Sequence, residues 1–381
     1  MNENGAEAST KQSKALAKEL QALLDHAVRD PVKNVALLVK ESGSRFRWAG
    51  ASGCADPEGG VAMRPDDQFR SASVGKMVCA TAALTLVDEN NLELDGRLGL
   101  YLPKGVTAGL HDLDGRSYGE ELTLRQLLNH TSGLANYFRL PDFQRLLIEE
   151  PGKRWEPLEI LEFTKEHAAA LFAPGHGWHY SDTGYLLVGL AIEAVTGLPL
   201  HDVYRRRVFD PLGMRDTYMV FREPPRGGVP GRSPSHVFFG EADYTGAESL
   251  TADWAGGGLV TTAEDLDLLV RALANDSVFT APSTRRAMFN WTRTGEAGVY
   301  YGLGVRRFTT GAIDPPGYGE VWGHTGSSKS FALYWPERDT TICGTLNQDM
   351  AYDAWSEALP AAGIVPEILA VLQRVSVVPD A

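Results

Sequence analysis

Strand-like segments lie at both ends of this chain and helix-patterned segments between them, an order that makes the two ends meet in one sheet, since unpaired strand edges leave backbone donors and acceptors unsatisfied. Near the N-terminus, residues 34–39 and 45–50 flank Glu41-Ser42-Gly43-Ser44 and read as a β-hairpin. Strand patterns return at 301–306, 320–323, 330–335 and 340–346, followed by a closing helix around 364–374. A first amphipathic helix over 14–29 is read from Leu16, Leu20, Leu23, Leu24 and Val28 at helical spacing. Ser71-Ala72-Ser73, with serines suited to capping, opens a helical stretch to about Asn90, and further helices are expected over 122–128, 157–172, 183–196 and 263–273. Residues 223–249, rich in Gly, Pro and Ser, read as a long surface excursion.

A chain of 381 residues suits about two domains. The expected architecture is α/β (α+β), an antiparallel sheet flanked by helices: residues 1–75 and 262–381 build the sheet domain, and 76–261 form an inserted, mainly helical one. With 43% apolar and 22% charged residues the composition is that of a folded protein. A net charge of −13 without any Lys/Arg-rich run argues against nucleic acid as a partner. The three cysteines, Cys54, Cys79 and Cys343, are too scattered for a disulfide framework or a CxxC metal site, which suits a reducing compartment. No secretory signal is visible at the N-terminus, and the most apolar run, 185–192, is far short of a membrane span. A cytoplasmic location is therefore expected, unless a leader has been lost. Oligomeric state is left open.

Three short segments carry chemistry. Ser73-Val74-Gly75-Lys76 stands at a helix start, where positions i and i+3 share a face and bring an amine beside a hydroxyl. The helix N-terminus adds free N–H groups and positive potential. A capping serine and a solvated lysine would leave the same four letters. Tyr180-Ser181-Asp182 opens another helix; a tyrosine near an ammonium is pushed toward phenolate and can then serve as a base, while a buried tyrosine with an Asp cap is the plainer alternative. Trp322-Gly323-His324-Thr325-Gly326-Ser327 leads into a strand, where glycines let a backbone approach a ligand, or simply turn the chain.

In this order and separation the three segments resemble the serine β-lactamase and penicillin-binding-protein superfamily, in the branch of class C β-lactamases, D-alanyl-D-alanine carboxypeptidases and family VIII carboxylesterases. The resemblance covers roughly residues 30–350 and extends to Leu127-Leu128-Asn129-His130-Thr131-Ser132-Gly133-Leu134 and Ala255-Gly256-Gly257-Gly258-Leu259-Val260-Thr261-Thr262. It implies Ser73 as nucleophile, Lys76 and Tyr180 sharing the base role, an oxyanion hole from the N–H groups of Ser73 and Ser327, and substrate contacts from Asp182, His324, Thr325 and Gly326. It implies no metal and no cofactor. The activity implied is hydrolysis, through an acyl-enzyme, of a small ester, amide or peptide; D,D-peptidase, β-lactamase or acyltransferase chemistry shares the motifs, and a non-catalytic scaffold shares the fold.

Two departures from the pattern bear on the substrate. Asp182 stands where many relatives carry asparagine, and an ionised carboxylate cannot donate a hydrogen bond to an acylamino carbonyl. It also favours a charged Lys76, which shifts the base role toward Tyr180; as a helix cap it would do neither. His324 stands where lysine is commoner and would be mostly neutral at pH 7, a weaker clamp for a carboxylate. Both changes lean toward esters and small amides. His176 and His179 lack the remaining ligands of a zinc hydrolase, and no G-x-S-x-G elbow, phosphate loop or dinucleotide fingerprint occurs. Trp178, Trp254 and Trp322 lie beside the motifs, as walls of an acyl pocket or as core.

Overall fold

The computed structural model describes residues 3–29, 31–42, 46–313, 317–349 and 364–374. Among them, strands from both chain ends form a nine-stranded sheet, antiparallel throughout. From the N-terminal end come β1 (Asn34–Glu41), β2 (Arg47–Asp56) and β3 (Val61–Ala62); from the C-terminal end come β4 (Thr292–Arg293), β5 (Val299–Tyr301), β6 (Arg306–Thr309), β7 (Glu320–Thr325), β8 (Phe331–Trp335) and β9 (Thr340–Thr345). The order is β4-β5-β6-β7-β8-β9-β1-β2-β3, so β1 against β9 is the seam where the two ends of the chain meet. The hairpin expected from the sequence is β1–β2; part of its turn, residues 43–45, lies outside the described residues.

Successive side chains of a strand point to opposite faces, and β1 uses both. Val35, Leu37 and Val39 pack in one cluster with Leu16, Leu20 and Leu24 of α1 (Glu3–Ala27) and Ile368 and Leu369 of a C-terminal helix, Val365–Arg374. Leu38 belongs to the larger cluster on the opposite face, which holds the helical body. At about 1.5–3 kcal/mol for each buried side chain of this size, a one-residue slip of β1 would be heavily penalised.

The centre of the helical body is α2 (Gly75–Asp88), buried from Gly75 to Leu84 and mostly apolar apart from Lys76 and Thr81. It packs against α3 (Asp182–Thr196) and the short turn of helix Trp254–Gly257. Serines do not cap α2: Ser71 Oγ donates instead to the Gly257 carbonyl at 3.0 Å. A further helix, α4 (Ala263–Ala274), lies against β1, β8 and β9.

Three segments differ from the sequence reading. Residues 301–306 are not one strand: the Gly302 N–H donates to Val305 O at 2.8 Å, and Gly304 has φ +74°, so the chain turns between β5 and β6. Leu303 and Val305, which made the segment look like a strand, are buried in the helical core. The helix expected over 157–172 ends at His167, because residues beyond it are tied elsewhere, Leu171 N–H to Gly133 O at 2.8 Å. The 223–249 excursion is anchored, by Gln68 Nε2 to Arg226 O at 2.7 Å and by Asn347 Nδ2 to Ser235 Oγ at 2.7 Å.

Candidate active site

Ser73 lies in a single 3-10 turn, Ala72–Val74, that runs directly into α2. The turn is held in a left-handed conformation at Ala72 (φ +44°), a strained backbone of the kind found at functional positions. Gly257 is why it fits: a Cβ there would come within 2.1 Å of the Ala72 carbonyl oxygen. The Ala-Gly-Gly-Gly segment is thus the seat of the nucleophile turn.

Lys76, on the first turn of α2, is fully buried. Its ammonium donates to Ser73 Oγ at 3.2 Å, to Gly256 O at 2.9 Å and to Asp182 Oδ1. An ammonium has three protons, and all three are placed. Burial alone would lower the pKa of this amine, but Asp182 first, then Tyr180, Asp253 and Tyr301, outweigh it and hold Lys76 well above the usual lysine value.

Asp182 begins α3, yet its carboxylate makes no capping bond; its second oxygen accepts from Asn136 Nδ2 at 2.9 Å. The open alternative between a helix cap and a pocket-facing group is decided for the pocket, through Lys76. Tyr180 is placed by His130, whose Nδ1 accepts from the Ser181 N–H at 3.1 Å, whose carbonyl accepts from the His179 N–H at 3.0 Å, and whose ring lies 4.3 Å from the Tyr180 ring. The Leu-Leu-Asn-His segment is a buttress for the Tyr-Ser-Asp turn. The Tyr180 hydroxyl has no hydrogen-bond partner among the described residues, and its ring lies 5.0 Å from Lys76 Nζ. Lys76 does push Tyr180 toward phenolate, but burial raises its pKa by more than Lys76 lowers it, and Asp182 raises it further. The resting side chain is a phenol.

The third segment is the end of β7, fastened to the nucleophile turn by Ser330 Oγ, which donates to Ser71 O at 2.5 Å. Gly326 abuts the same turn, since a Cβ there would meet the Ala72 Cβ at 2.9 Å. Thr325 is buried, with its hydroxyl unpaired among the described residues. His324 is buried completely. Its Nδ1–H donates to Thr325 O at 2.7 Å, so its Nε2 accepts from the Tyr301 hydroxyl at 2.8 Å. Burial, with Arg306 and Lys76 nearby, holds it neutral, and neither ring nitrogen is left over for a substrate carboxylate.

Ser73, Tyr180, Asp182 and Ser327 line one pocket. Its apolar wall comes from Phe138, Leu147, Phe239 and Leu250; the flagged tryptophans are not in it. Trp254 packs on Gly189, and Trp322 on Phe289. Sequence reasoning missed the polar wall residues Asn136, Arg139, Gln144 and Asp253, whose carboxyl burial pushes up to about 7, and nearby Arg306, stacked 5.0 Å over Tyr180. None sits within a motif of its own. Only Asp253, next to the Ala-Gly-Gly-Gly segment, carried a positional hint.

A family model described as beta-lactamase matches residues 21–361. Esterase EstB of Burkholderia gladioli is 37% identical over 226 residues, covering 57% of this chain and 55% of its own. Lovastatin esterase of Penicillium rubens is 31% identical over 240 residues, 59% of each chain. The match thus spans little more than half the length of these curated relatives. Among solved structures, the D-amino acid amidase of Ochrobactrum anthropi SV3, complexed with L-phenylalanine amide, superposes with a TM-score of 0.77 at 26% identity, over 94% of this chain and 99% of that one. No single helix among the described residues is long and apolar enough to cross a membrane.

Proposed function

The chain belongs to the beta-lactamase family, and from that premise we propose that it is a serine hydrolase that carries the acyl part of a small ester or amide on Ser73. The observation that carries the reading is the Lys76 ammonium, which bridges Ser73 Oγ at 3.2 Å and the Asp182 carboxylate inside a closed shell of partners. The site would lie where the sheet part, 1–75 with 262–381, meets the inserted part, 76–261. Unpaired Cys54, Cys79 and Cys343 support a reducing compartment.

With Lys76 charged and Tyr180 a phenol, the Ser73 proton leaves by relay. Lys76 passes one proton to Asp182 as it receives the one from Ser73, the Oγ–carbon bond forms, and the carbonyl electron pair moves to oxygen. The N–H groups of Ser73 and Ser327, which make no backbone hydrogen bond among the described residues, would receive that oxyanion. Collapse breaks the bond to the leaving alcohol or amine, which takes a proton from the Tyr180 hydroxyl. Lys76 then returns the proton held on Asp182 to Tyr180. Water repeats the sequence on the acyl-enzyme; another alcohol or amine in its place would make the reaction a transfer.

Asp182 has both oxygens committed, to Lys76 and Asn136, which supports simple esters and small amides over acylamino substrates such as penicillins. A fluorophosphonate probe tests the core of the reading: a mass addition on Ser73 of the folded protein is expected, absent in Ser73→Ala. No addition would refute serine catalysis. A panel of p-nitrophenyl esters, D-alanyl amides and a chromogenic cephalosporin then ranks substrates, and turnover of the cephalosporin far ahead of every ester would overturn the substrate class.

A further inference from the structure

A buried cation beside the site has no place in the relay. Arg306 begins β6, is 7% exposed and stands opposite Gly323 of β7, which has no side chain to compete for its space. Among the described residues its side chain makes no hydrogen bond and no ion pair, and its Nε is buried without an acceptor. What it meets instead are two aromatic faces: the guanidinium carbon lies 5.0 Å from the centre of the Tyr180 ring and 5.8 Å from that of Tyr301. A cation withdrawn from water without a carboxylate is costly, and two ring faces offset only part of that cost.

Tyr180 is the group this charge can serve. The relay asks its buried hydroxyl to protonate the leaving group and so to become, briefly, a phenolate whose negative charge spreads over the ring. Burial opposes that state most, Lys76 and Arg306 favour it, and Asp182 opposes it. The two cations stand at the same distance, Lys76 Nζ also lying 5.0 Å from the ring centre, but they differ in kind. At rest the Lys76 charge is answered by the Asp182 carboxylate, and its protons are the ones the relay moves. A guanidinium stays protonated and no carboxylate answers it here, so the field of Arg306 on the ring is the same at every step. The third segment cannot supply this charge, because His324 is held neutral and both its nitrogens are engaged.

We propose that Arg306 is the fixed cation that lets Tyr180 release its proton: seated over the ring, it stabilises the phenolate formed as the leaving group departs. This rests on the serine acyl-enzyme reading and adds to it a residue outside the three motif segments. Arg306 is a positioning residue here, since it acts through Tyr180 and not on the bond that breaks. The Tyr180 O–H bond breaks, its proton goes to the leaving oxygen or nitrogen, and the electron pair stays on the phenolate until Lys76 restores the proton. Arg306 itself gains and loses nothing.

The test compares p-nitrophenyl butyrate, whose phenolate leaves without a proton, with benzyl butyrate, whose alkoxide needs one. Arg306→Met should lower kcat/KM for the benzyl ester by at least about thirtyfold and for the p-nitrophenyl ester by no more than about threefold. Arg306→Lys keeps the charge and should hold the benzyl ester within about fivefold of wild type. Beside Tyr180→Phe, Arg306→Met should add less than about twofold on the benzyl ester, since the group it serves is gone. Equal losses on the two esters, or an undiminished loss beside Tyr180→Phe, would mark a structural role and overturn the proposal. So would a loss confined to a substrate with a free carboxylate, such as benzyl hemisuccinate, because the guanidinium would then be receiving a substrate anion. Tryptophan fluorescence checks folding, and Arg306→Gln is read in the same way where the methionine variant does not fold. Ser73 labelling by the fluorophosphonate separates the two readings. Wild type that labels, with variants that lose equally on both esters, overturns the Arg306 assignment alone; wild type that does not label overturns the underlying serine chemistry.

Discussion

Replacing Asp182 by asparagine leaves the Lys76 ammonium in the protein interior without its one ionic partner. The side chains are 0% and 8% exposed, so solvent screens the pair little and the surface value of an ion pair does not apply. Removing one member of such a pair costs about 3–5 kcal/mol. The amine can escape by losing its proton; from an ordinary value of 10.5 that costs about 5 kcal/mol at pH 7, which caps the penalty. Lys76→Met strands the Asp182 carboxylate in the same way, at a similar cost of about 3–5 kcal/mol. The double variant has no bare charge and leaves only neutral acceptors and donors short of partners, at about 1–3 kcal/mol. A double-mutant cycle by urea unfolding at pH 7, followed by tryptophan fluorescence, should therefore give a coupling of at least about 3 kcal/mol. The pH dependence adds a sign. In the wild type Lys76 is raised in the folded state, so its contribution is complete below the unfolded value and is lost as pH rises past it. Without Asp182, burial dominates and lowers it, so the same group makes stability rise toward pH 10. The gap between the two proteins should narrow from pH 8 to pH 10.5. A coupling below about 0.5 kcal/mol, or a gap that stays constant, would refute the picture of a buried ion pair feeding the nucleophile.

Tyr180→Phe should slow acylation by about 10²-fold, and, because the hydroxyl acts on the leaving group, the loss should be larger for amides than for p-nitrophenyl esters; equal losses would make Tyr180 a base instead. Burial pushes Asp253 from 3.8 up to about 7, so the folded protein holds a proton that the unfolded chain releases, and stability falls as pH rises through that window. Asp253→Asn should remove this slope, gaining on the order of 2–4 kcal/mol relative to wild type between pH 4 and pH 7.5 in urea titrations; a flat difference would refute it. Gly256→Ala inserts a Cβ 3.0–3.4 Å from three charged groups and should cost about 1–3 kcal/mol and at least about tenfold in kcat/KM. Gly105→Ala, with nothing within 4 Å of its Cβ, is the control and should be neutral in thermal unfolding and turnover.

Much of the fold is legible because strand and helix periods are local properties of the chain. Residues 34–39 alternate into two different cores, and the segment 183–196 stops at Gly197, which takes φ +66°. The errors have tertiary causes. Leu303 and Val305 are apolar because they enter the helical core across a glycine turn, and residues 168–172 leave their helix for the carbonyl of Gly133. The motifs likewise announce themselves, but their supporting parts do not. That His130 props the Tyr-Ser-Asp turn, and that Gly257 seats the nucleophile, follow only from residues brought together across the chain.

By itself, then, the sequence determined which chemical groups are present, in what order, and that both ends of the chain build one sheet: the Ser73–Lys76 pair needs only the rise of a helix to meet. Protonation and access were decided by tertiary structure. Lys76 and Asp182 are 106 residues apart, and Asp253 arrives from a third segment. A pKa depends on burial and on charges within a few ångströms through space. So Lys76 is an ammonium, Tyr180 a phenol, His324 sealed and Asp253 unpaired for reasons that no run of neighbouring letters contains.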